Sequence, residues 1–206
     1  MNKPATLLLT LVNEDDIPFI QGVCIGVDRG AWFAEEHRLP MTHVFGDFDS
    51  ITNRQQSLLR DKYSDHMILL PTQKDVSDAE AALRFALEQG YQPITILGGI
   101  GGRSDHFYAL LNLLVQNAGV PISMVHPNQM IQALIPGEYE IAPTHSYFSI
   151  FPQGEAVITI ENAHYSLQKK TLQAYDTLGL SNAWKDGKTV KLTIHQGTVL
   201  LFLTND

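Results

Sequence analysis

Short apolar runs alternate with helical patterns over the first 126 residues, and this alternation restricts the possible folds more than any other feature of the chain. The runs are short enough to be strands and lie at residues 7–12, 23–27, 42–45, 67–70, 94–97 and 122–125. Helical patterns separate most of them, as in βαβ units. The sequence therefore predicts an N-terminal α/β domain with a mostly parallel, Rossmann-like sheet.

The clearest helical pattern lies between the fourth and fifth runs. Its apolar side chains recur at intervals of three and four residues and share one face: Ala79, Ala82, Leu83, Ala86 and Leu87. Ser77 and Glu80 have the spacing of a capping box, and Gly90 is typical of a helix end. Both ends of this helix are thus predicted.

The pattern changes near Pro127, after which no long helical period is found. Short β-type runs at 138–141, 147–151, 156–160, 189–195 and 199–203 are separated by Gly, Pro, Asn and Asp. Such spacing is typical of antiparallel strands in a sandwich or barrel. The sequence therefore predicts two domains, an α/β domain over residues 1–127 and a smaller all-β domain over residues 128–206.

Charge and cysteine content exclude several classes of protein. Acidic residues outnumber basic ones 22 to 14, for a net charge of −8, so we expect neither nucleic acid nor an anionic membrane as a partner. Cys24 is the single cysteine, which excludes an internal disulfide and predicts a buried, inert thiol. The run at 7–12 is too short to cross a membrane and lacks the layout of a signal peptide, so we expect a cytoplasmic protein.

Two aspartates, Asp47 and Asp49, follow the third run in the segment Gly46-Asp47-Phe48-Asp49-Ser50. In an extended segment, residues two apart point to the same side. Two carboxylates held this close repel each other unless a cation lies between them, and oxygen ligands suit Mg²⁺. The alternative is an acidic turn, since Asp and Ser are common turn residues.

Polar clusters follow four successive runs, at the places where parallel strands would present their carboxyl ends. They are Asp28-Arg29-Gly30, the pair Asp47 and Asp49, Lys74-Asp75 with Asp78, and the glycine-rich turn 98–102 with Arg103-Ser104-Asp105-His106. Ligands of open α/β sheets bind at this edge. The convergence favours a functional site, although Asp28 could simply end a strand and Asp78 would also stabilise the helix that it begins.

The turn Gly98-Gly99-Ile100-Gly101-Gly102 contains more glycine than a tight turn requires. Glycine lets backbone N–H groups approach an anion at the start of a helix. A Rossmann fingerprint fits poorly, because Ser104 stands where the third glycine would be, and no Gly-Lys-Ser/Thr of a P-loop follows. This segment could therefore be an anion-binding loop or a tight strand-to-helix turn.

Phosphate handling is the chemistry that these clusters predict together. Carboxylates would hold Mg²⁺, the glycine turn would approach a phosphate, and Arg29, Lys74 and Arg103 would offset its charge. An acidic protein also needs the metal ion to hold a polyanion such as ATP.

With these motifs the chain resembles the thiamine pyrophosphokinase family. The resemblance is carried by Gly26-Val27-Asp28-Arg29-Gly30-Ala31, Gly46-Asp47-Phe48-Asp49-Ser50, Lys74-Asp75-x-Ser77-Asp78-x-Glu80, Gly101-Gly102-Arg103-x-Asp105-His106, Asn112 and Ser181-Asn182. The family commonly has threonine at the position of Ser77, and serine keeps the hydroxyl. The motifs span nearly the whole chain.

The resemblance implies transfer of a pyrophosphoryl group from ATP to the hydroxyl of thiamine, giving thiamine diphosphate and AMP. It implies Mg²⁺-assisted, in-line attack on the β-phosphorus. It also implies an α/β catalytic domain that binds ATP and Mg²⁺, a β-sandwich domain that binds thiamine, and a homodimer with the active site between the subunits.

Roles for individual residues also follow from the resemblance. Asp47, Asp49 and Asp78 would hold Mg²⁺, and either Asp28 or Asp75 nearby would accept or orient the hydroxyl proton. The nucleotide would lie against Arg29, Lys74, Gly99, Gly101, Gly102, Arg103, Asp105 and His106. Thiamine would contact Ser181, Asn182 and Tyr165, although Tyr165 could equally be an ordinary strand aromatic. A cationic thiazolium over an aromatic ring gains about 0.5–2 kcal/mol.

Two other functions remain open at the level of the sequence. A Mg²⁺-dependent phosphohydrolase also uses an Asp-x-Asp pair, but its usual pair follows the first strand and this one follows the third. A non-catalytic nucleotide or vitamin sensor would not need so many potential metal ligands.

Overall fold

The computed structural model describes residues 3–10, 19–71 and 75–206. The chain forms two compact units. The first comprises the residues up to Leu110 together with Met124–His126, and the second comprises Leu111–Ser123 and Pro127–Asp206. The domain boundary at residues 127 and 128 stays a prediction.

The first unit is built on a parallel sheet. Its strands are β1 (Lys3–Leu8), β2 (Val23–Val27), β3 (His43–Gly46), β4 (Met67–Leu69), β5 (Tyr91–Leu97) and β6 (Ile122–His126), of which β6 ends in this unit. Its helices are α1 (Arg29–Glu36), α2 (Asn53–Tyr63), α3 (Asp78–Glu88) and α4 (Ser104–Gln116), of which α4 begins in it. The strand order is β4-β3-β2-β1-β5-β6, and the pairs from β4 to β5 are parallel. The predicted α/β sheet is confirmed.

The strand order indicates at which edge of the sheet a ligand could bind. From β1 the chain builds outward to β4 and then returns to the other side of β1 with β5. Open α/β sheets bind ligands beyond the carboxyl ends of their strands near such a reversal. The carboxyl ends of β2 and β3 lie side by side at this edge, because Val27 is paired with Phe45.

Apolar side chains cover the strands and explain why they form. Four of the five residues of β2 are buried, as expected for a parallel strand covered on both faces. Leu8, Cys24, Phe33, Ala34 and Leu97 form one core cluster. Cys24 is fully buried, and burial raises the pKa of its thiol to about 12. The prediction of an inert thiol is therefore confirmed.

Two glycines allow close approach at the end of β1. A Cβ on Gly30 would overlap the carbonyl oxygen of Leu8, and a Cβ on Gly98 would lie 2.7 Å from the carbonyl oxygen of Leu9. The start of α1 and the end of β5 can therefore both press against the end of β1. Any larger residue would move these elements apart.

The second unit contains two antiparallel groups of strands. They are β7 (Gln129–Leu134), β8 (Gly137–Ile141), β9 (Tyr147–Pro152), β10 (Glu155–Glu161), β11 (Leu167–Gln173), β12 (Val190–Gln196) and β13 (Val199–Thr204). The orders are β7-β13-β9 and β11-β10-β12-β8. Side chains from both groups share one core, among them Phe148, Ile158, Trp184, Leu192 and Leu201. The predicted all-β sandwich is confirmed.

Sequence patterns missed two strands and displaced a third. β11 shows four exposed residues in a row, Gln168 to Thr171, so it has no apolar alternation to recognise, and β7 alternates only weakly. β1 runs from Lys3 to Leu8, whereas the prediction was 7–12, of which residues 11 and 12 lie outside the described residues. Pairing of β1 with both β2 and β5 sets its position, and that pairing is not local information.

Helix α2 carries a capping box that the sequence reading did not identify. Thr52 Oγ1 accepts from the N–H of Gln55 at 3.3 Å, and Gln55 Oε1 accepts from the N–H of Thr52 at 2.8 Å. At α3, Ser77 Oγ accepts from the N–H of Glu80 as predicted, but the Glu80 carboxylate pairs with Arg84. The Thr-x-x-Gln pattern at Thr52 was the available signal.

None of the helices within the described residues is long and apolar enough to cross a membrane.

Removing the cap of α2 tests its contribution to stability. Thr52→Ala should lower the free energy of unfolding by about 0.5–2 kcal/mol, because it leaves the N–H of Gln55 without its acceptor. Chemical denaturation measures the change. Ser57→Ala is the matched control, since its hydroxyl donates to the Asn53 carbonyl on the exposed helix surface. Equal losses in both variants would contradict the role of the cap.

Candidate active site

Asp28 links the ends of two neighbouring strands. It follows β2 and precedes α1, and its backbone has a φ of 49°. Its N–H donates to the carbonyl of Phe45 at 2.7 Å, and its Oδ1 accepts from the N–H of Phe48 at 3.3 Å. The left-handed backbone is unfavourable for a residue with a side chain. These bonds hold it in place and direct the carboxylate toward the end of β3.

Gly46 makes room for that carboxylate. A Cβ on Gly46 would overlap Asp28 Oδ1, and the φ of Gly46 is 147°. Any other residue at this position would displace Asp28. The glycine in the Gly-Asp-x-Asp segment is therefore required by the adjacent carboxylate.

The segment after Gly46 is a turn and not an extended strand. Strand β3 ends at Gly46, and Phe48 has a φ of 60° with its side chain buried. Asp47 is half-buried while Asp49 is exposed, and the N–H of Asp49 donates to Asp47 Oδ1 at 3.3 Å. The two aspartates therefore have different environments, which the assumption of an extended segment did not anticipate.

Three carboxylates meet at this edge of the sheet. Asp28, Asp47 and Asp78 are half-buried, and each offers an oxygen atom that lies within 4.8 Å of the other two. Asp78 is the first residue of α3, which Ser77 caps. The sequence assigned the metal site to Asp47, Asp49 and Asp78. The structure brings Asp47 and Asp78 together, but with Asp28 as the third member of the group.

The environment of Asp28 opposes its ionisation. Its pKa is raised to about 7, chiefly by burial and then by the negative charge of Asp78. The bond from the Phe48 N–H lowers the pKa, while the charges of Asp47 and Asp49 raise it further. A hard divalent cation would replace this repulsion with attraction, so the three-carboxylate donor set fits an ion such as Mg²⁺.

The glycine-rich turn has two kinds of glycine. Gly99 is buried, and a Cβ there would lie 2.5 Å from Met124 Sδ and 2.9 Å from Leu110 Cδ1, so packing by itself explains that glycine. Gly101 and Gly102 are exposed and have φ values of 90° and 67°. These two exposed glycines directly precede Arg103 and the start of α4.

Arg103 and Asp105 form an exposed ion pair just after this turn. Arg103 Nη2 lies 2.6 Å from Asp105 Oδ2, and Nε lies 3.1 Å from Oδ1. The guanidinium lowers the pKa of Asp105 to about 2. His106 is exposed at the same turn, Arg29 is exposed as the first residue of α1, and Asp75 is exposed in the segment between β4 and α3. Lys74 lies outside the described residues.

A cavity of about 310 Å³ is lined by residues of α1 and of the segment from Ser50 to Gln55. Arg29 and Ser50, which directly follow Asp28 and Asp49 in the chain, belong to its lining. The other lining residues include Trp32, Phe33, Glu36 and Gln55. These helix positions were not singled out in the sequence, because nothing local distinguishes them from ordinary surface and core residues.

Three residues of the second unit were expected to contact thiamine, and their side chains differ in solvent exposure. Tyr165 is 71% exposed and Asn182 is 5% exposed. Ser181 is exposed and has a φ of 52°, with its N–H donating to Ser149 Oγ at 2.9 Å. Tyr165 and Ser181 therefore present side chains to solvent, whereas Asn182 faces inward.

Family models match both parts of the chain. The thiamin pyrophosphokinase catalytic domain matches residues 21–124, and the thiamin pyrophosphokinase vitamin B1 binding domain matches residues 137–199. A thiamine pyrophosphokinase of Bacillus subtilis is 32% identical over 164 residues, which cover 77% of this chain and 76% of that protein.

Solved structures of the same family have the same fold. The crystal structure of thiamine pyrophosphokinase from Bacillus subtilis superposes with a TM-score of 0.85 at 26% identity, covering 99% of this chain and 100% of that one. Thiamin pyrophosphokinase from Geobacillus thermodenitrificans gives a TM-score of 0.84 at 26% identity, with 98% and 97% coverage. The similarity therefore extends over both units.

The raised pKa of Asp28 predicts a pH-dependent stability. Its folded-state pKa of about 7 lies above the unfolded value of 3.8, so the metal-free protein loses stability as the pH rises through this interval. In EDTA, the Tm of the wild type relative to Asp28→Asn should fall from about pH 5 to about pH 8. The asparagine keeps an oxygen for the Phe48 N–H but carries no charge.

Thermal unfolding at several pH values measures this difference in slope. Asp61→Asn, which removes an exposed carboxylate from α2, is the control and should parallel the wild type. A plot of Tm against pH for Asp28→Asn that also parallels the wild type would contradict the clustering of charge at Asp28.

Proposed function

The chain belongs to the thiamin pyrophosphokinase family, and from that premise we propose that it transfers a pyrophosphoryl group from ATP to the hydroxyl of thiamine. The products are thiamine diphosphate and AMP. The hydroxyl oxygen forms a bond to the β-phosphorus, and the bond from that phosphorus to the α,β-bridging oxygen breaks. AMP leaves with the electron pair of that bond.

The group Asp28, Asp47 and Asp78 is the observation that carries the proposal. Three half-buried carboxylates within 4.8 Å of one another lie at the edge where open α/β sheets bind ligands. They would hold Mg²⁺, which when bound neutralises charge on phosphate oxygens and on a leaving AMP. Asp49 lies exposed at the rim and is the alternative third ligand, as the sequence motif suggested.

Asp28 or Asp75 would receive the proton of the thiamine hydroxyl. Asp28 suits this role because its carboxylate lies beside Asp47 and Asp78, at the proposed metal site. Asp75 is exposed at the start of the segment before α3. If Asp28 is the third ligand of the metal ion, Asp75 takes the proton of the hydroxyl. If Asp49 is the third ligand, Asp28 takes that proton.

Cations near the carboxylates would offset the charge of the triphosphate. Arg103 pairs with Asp105 at the start of α4, and both would lie at the nucleotide, with His106 beside them. Gly101 and Gly102 present exposed backbone at the same turn, and the packed Gly99 positions that turn. Arg29 would contribute from the start of α1, directly after Asp28 in the chain, and Lys74 would contribute from the segment before Asp75.

Tyr165 and Ser181 would form the thiamine face of the second unit. The Tyr165 ring is 71% exposed, and a flat cation over such a ring gains about 0.5–2 kcal/mol. Ser181 is exposed and offers a hydroxyl to a polar group of the substrate. Asn182 lies between them in the fold but faces inward.

A homodimer with the active site between subunits would cover this face. The second unit leaves Tyr175, Leu178 and Leu180 exposed by 83%, 56% and 55%, close in sequence to Ser181. Apolar side chains grouped in this way are typical of a surface that a partner covers. We propose that the catalytic unit of the second copy is that partner.

One assay separates the three functions considered for this sequence. Purified protein is incubated with ATP, Mg²⁺ and thiamine, and AMP is measured. AMP that forms only with thiamine supports the proposal. Phosphate released without thiamine would indicate a phosphohydrolase, and nucleotide binding without turnover would indicate a sensor.

Substitution of the carboxylates tests whether turnover depends on them and which of them hold the metal ion. Asp47→Asn and Asp78→Asn should each lower kcat by at least a hundredfold, about 2.7 kcal/mol of transition-state stabilisation. Asp28→Asn should raise the Mg²⁺ concentration for half-maximal activity more than Asp49→Asn does. The reverse order would assign the third ligand to Asp49, and unaltered activity in Asp47→Asn would refute the site. Asp61→Asn is again the control.

Subunit exchange tests the position of the site between two chains. Asp78→Asn is mixed with the double variant Tyr165→Ala and Ser181→Ala at limiting thiamine. Random exchange should restore up to about a quarter of wild-type activity, because half of the dimers are mixed and each holds one intact site. No recovery after verified exchange would place the whole site within one chain.

A further inference from the structure

We infer that Asn182 is a positioning residue for thiamine binding, which clamps the backbone of Tyr165 and thereby restricts the positions that the exposed ring can take. This inference rests on the proposed function. It differs from the direct substrate contact that the family resemblance implied for Asn182, and it follows from the hydrogen bonds of the second unit.

The Asn182 amide bonds to both polar groups of the Tyr165 backbone. Its Oδ1 accepts from the N–H of Tyr165 at 3.1 Å, and its Nδ2 donates to the carbonyl of Tyr165 at 2.8 Å. Oδ1 also accepts from the N–H of Ala183 at 2.9 Å. The partners determine the orientation of the amide, because the opposite orientation would place its NH₂ against two N–H donors.

These bonds leave the amide oxygen of Asn182 poorly suited to contact a substrate. An amide oxygen has two lone pairs, and both are used within the protein. The residue is also 5% exposed. A ligand could reach the amide oxygen only by displacing a backbone bond, which would leave a buried N–H without its acceptor.

The clamp itself is anchored in the core of the second unit. Asn182 and Phe148 exchange two backbone hydrogen bonds of 2.9 Å, and Phe148 is fully buried against Trp184. On the other side of Tyr165, the N–H of His164 donates to the carbonyl of Ala183 at 2.9 Å. The backbone of Tyr165 is thus held to a rigid sheet.

The residue that Asn182 holds is itself exposed. A side chain that is 71% exposed adds little burial, yet its backbone is bonded on both sides by a buried amide. A ring on a fixed backbone loses less conformational freedom when a flat ligand binds, so its contact contributes more to affinity. Asn182 would therefore act on thiamine through Tyr165.

A double-mutant cycle tests the inference. Tyr165→Ala, Asn182→Ala and the double variant are assayed as full-length protein, with thiamine varied at saturating ATP. Tyr165→Ala should lower kcat/KM for thiamine by between about twofold and thirtyfold, the range of a cation–π contact. Asn182→Ala should raise KM for thiamine by a similar or smaller factor and leave KM for ATP unchanged.

The double variant decides between positioning and contact. In the Tyr165→Ala background, loss of Asn182 should lower kcat/KM by less than about twofold, because the ring that it positions is gone. A full additional loss would overturn the inference and indicate direct contact with thiamine. An unchanged kcat/KM in Tyr165→Ala alone would instead refute the thiamine face, and the inference with it.

Two further variants separate the clamp from general stability. Asn162→Gly removes an amide bond of the same type, from Nδ2 to the Thr189 carbonyl at 3.2 Å, and should leave KM for thiamine unchanged; glycine suits the φ of 64° there. If Asn182→Ala does not fold, Asn182→Asp replaces it in the cycle. The aspartate keeps the acceptor bonds, and its second carboxylate oxygen places an acceptor where Nδ2 had donated to the Tyr165 carbonyl.

Discussion

Repulsion between carboxylates is the constraint on which the candidate site depends. Asp28, Asp47 and Asp78 are held within 4.8 Å of one another by backbone bonds and by helix α3, against their own charges. Burial first, and then the charge of Asp78, raise the pKa of Asp28. Because a divalent cation would relieve this repulsion, the same strain that weakens the metal-free protein at neutral pH would favour metal binding.

Backbone geometry, and not charge, keeps these groups together. Asp28 adopts a left-handed conformation and bonds to the chain at Phe45 and Phe48, and Gly46 leaves the space that its carboxylate fills. Unfavourable conformations of this kind persist only where the surroundings determine them. The second unit uses polar bonds in a related way, since the buried amide of Asn182 holds the exposed Tyr165.

Much of the fold could be predicted because its signals are local. Apolar runs placed β2 to β6 and five strands of the second unit, and helical periodicity placed α3, with Gly90 just beyond its end. β11 could not be found in this way, because its exposed Lys169 and Lys170 carry no alternation and the strand is defined by its pairing with β10. The position of β1 was wrong for the same reason, since its register depends on distant partners.

The sequence by itself determined that acidic residues and glycines collect where strands end, because the end of a strand and the start of a helix are local properties. It also determined the family, through motifs of fixed spacing. Only the tertiary structure decided that Asp28 joins Asp47 and Asp78, because this depends on the pairing of β2 with β3 and on the turn at Phe48. It likewise decided that Asn182 faces inward, since burial is a property of the packed sheet and not of the residue.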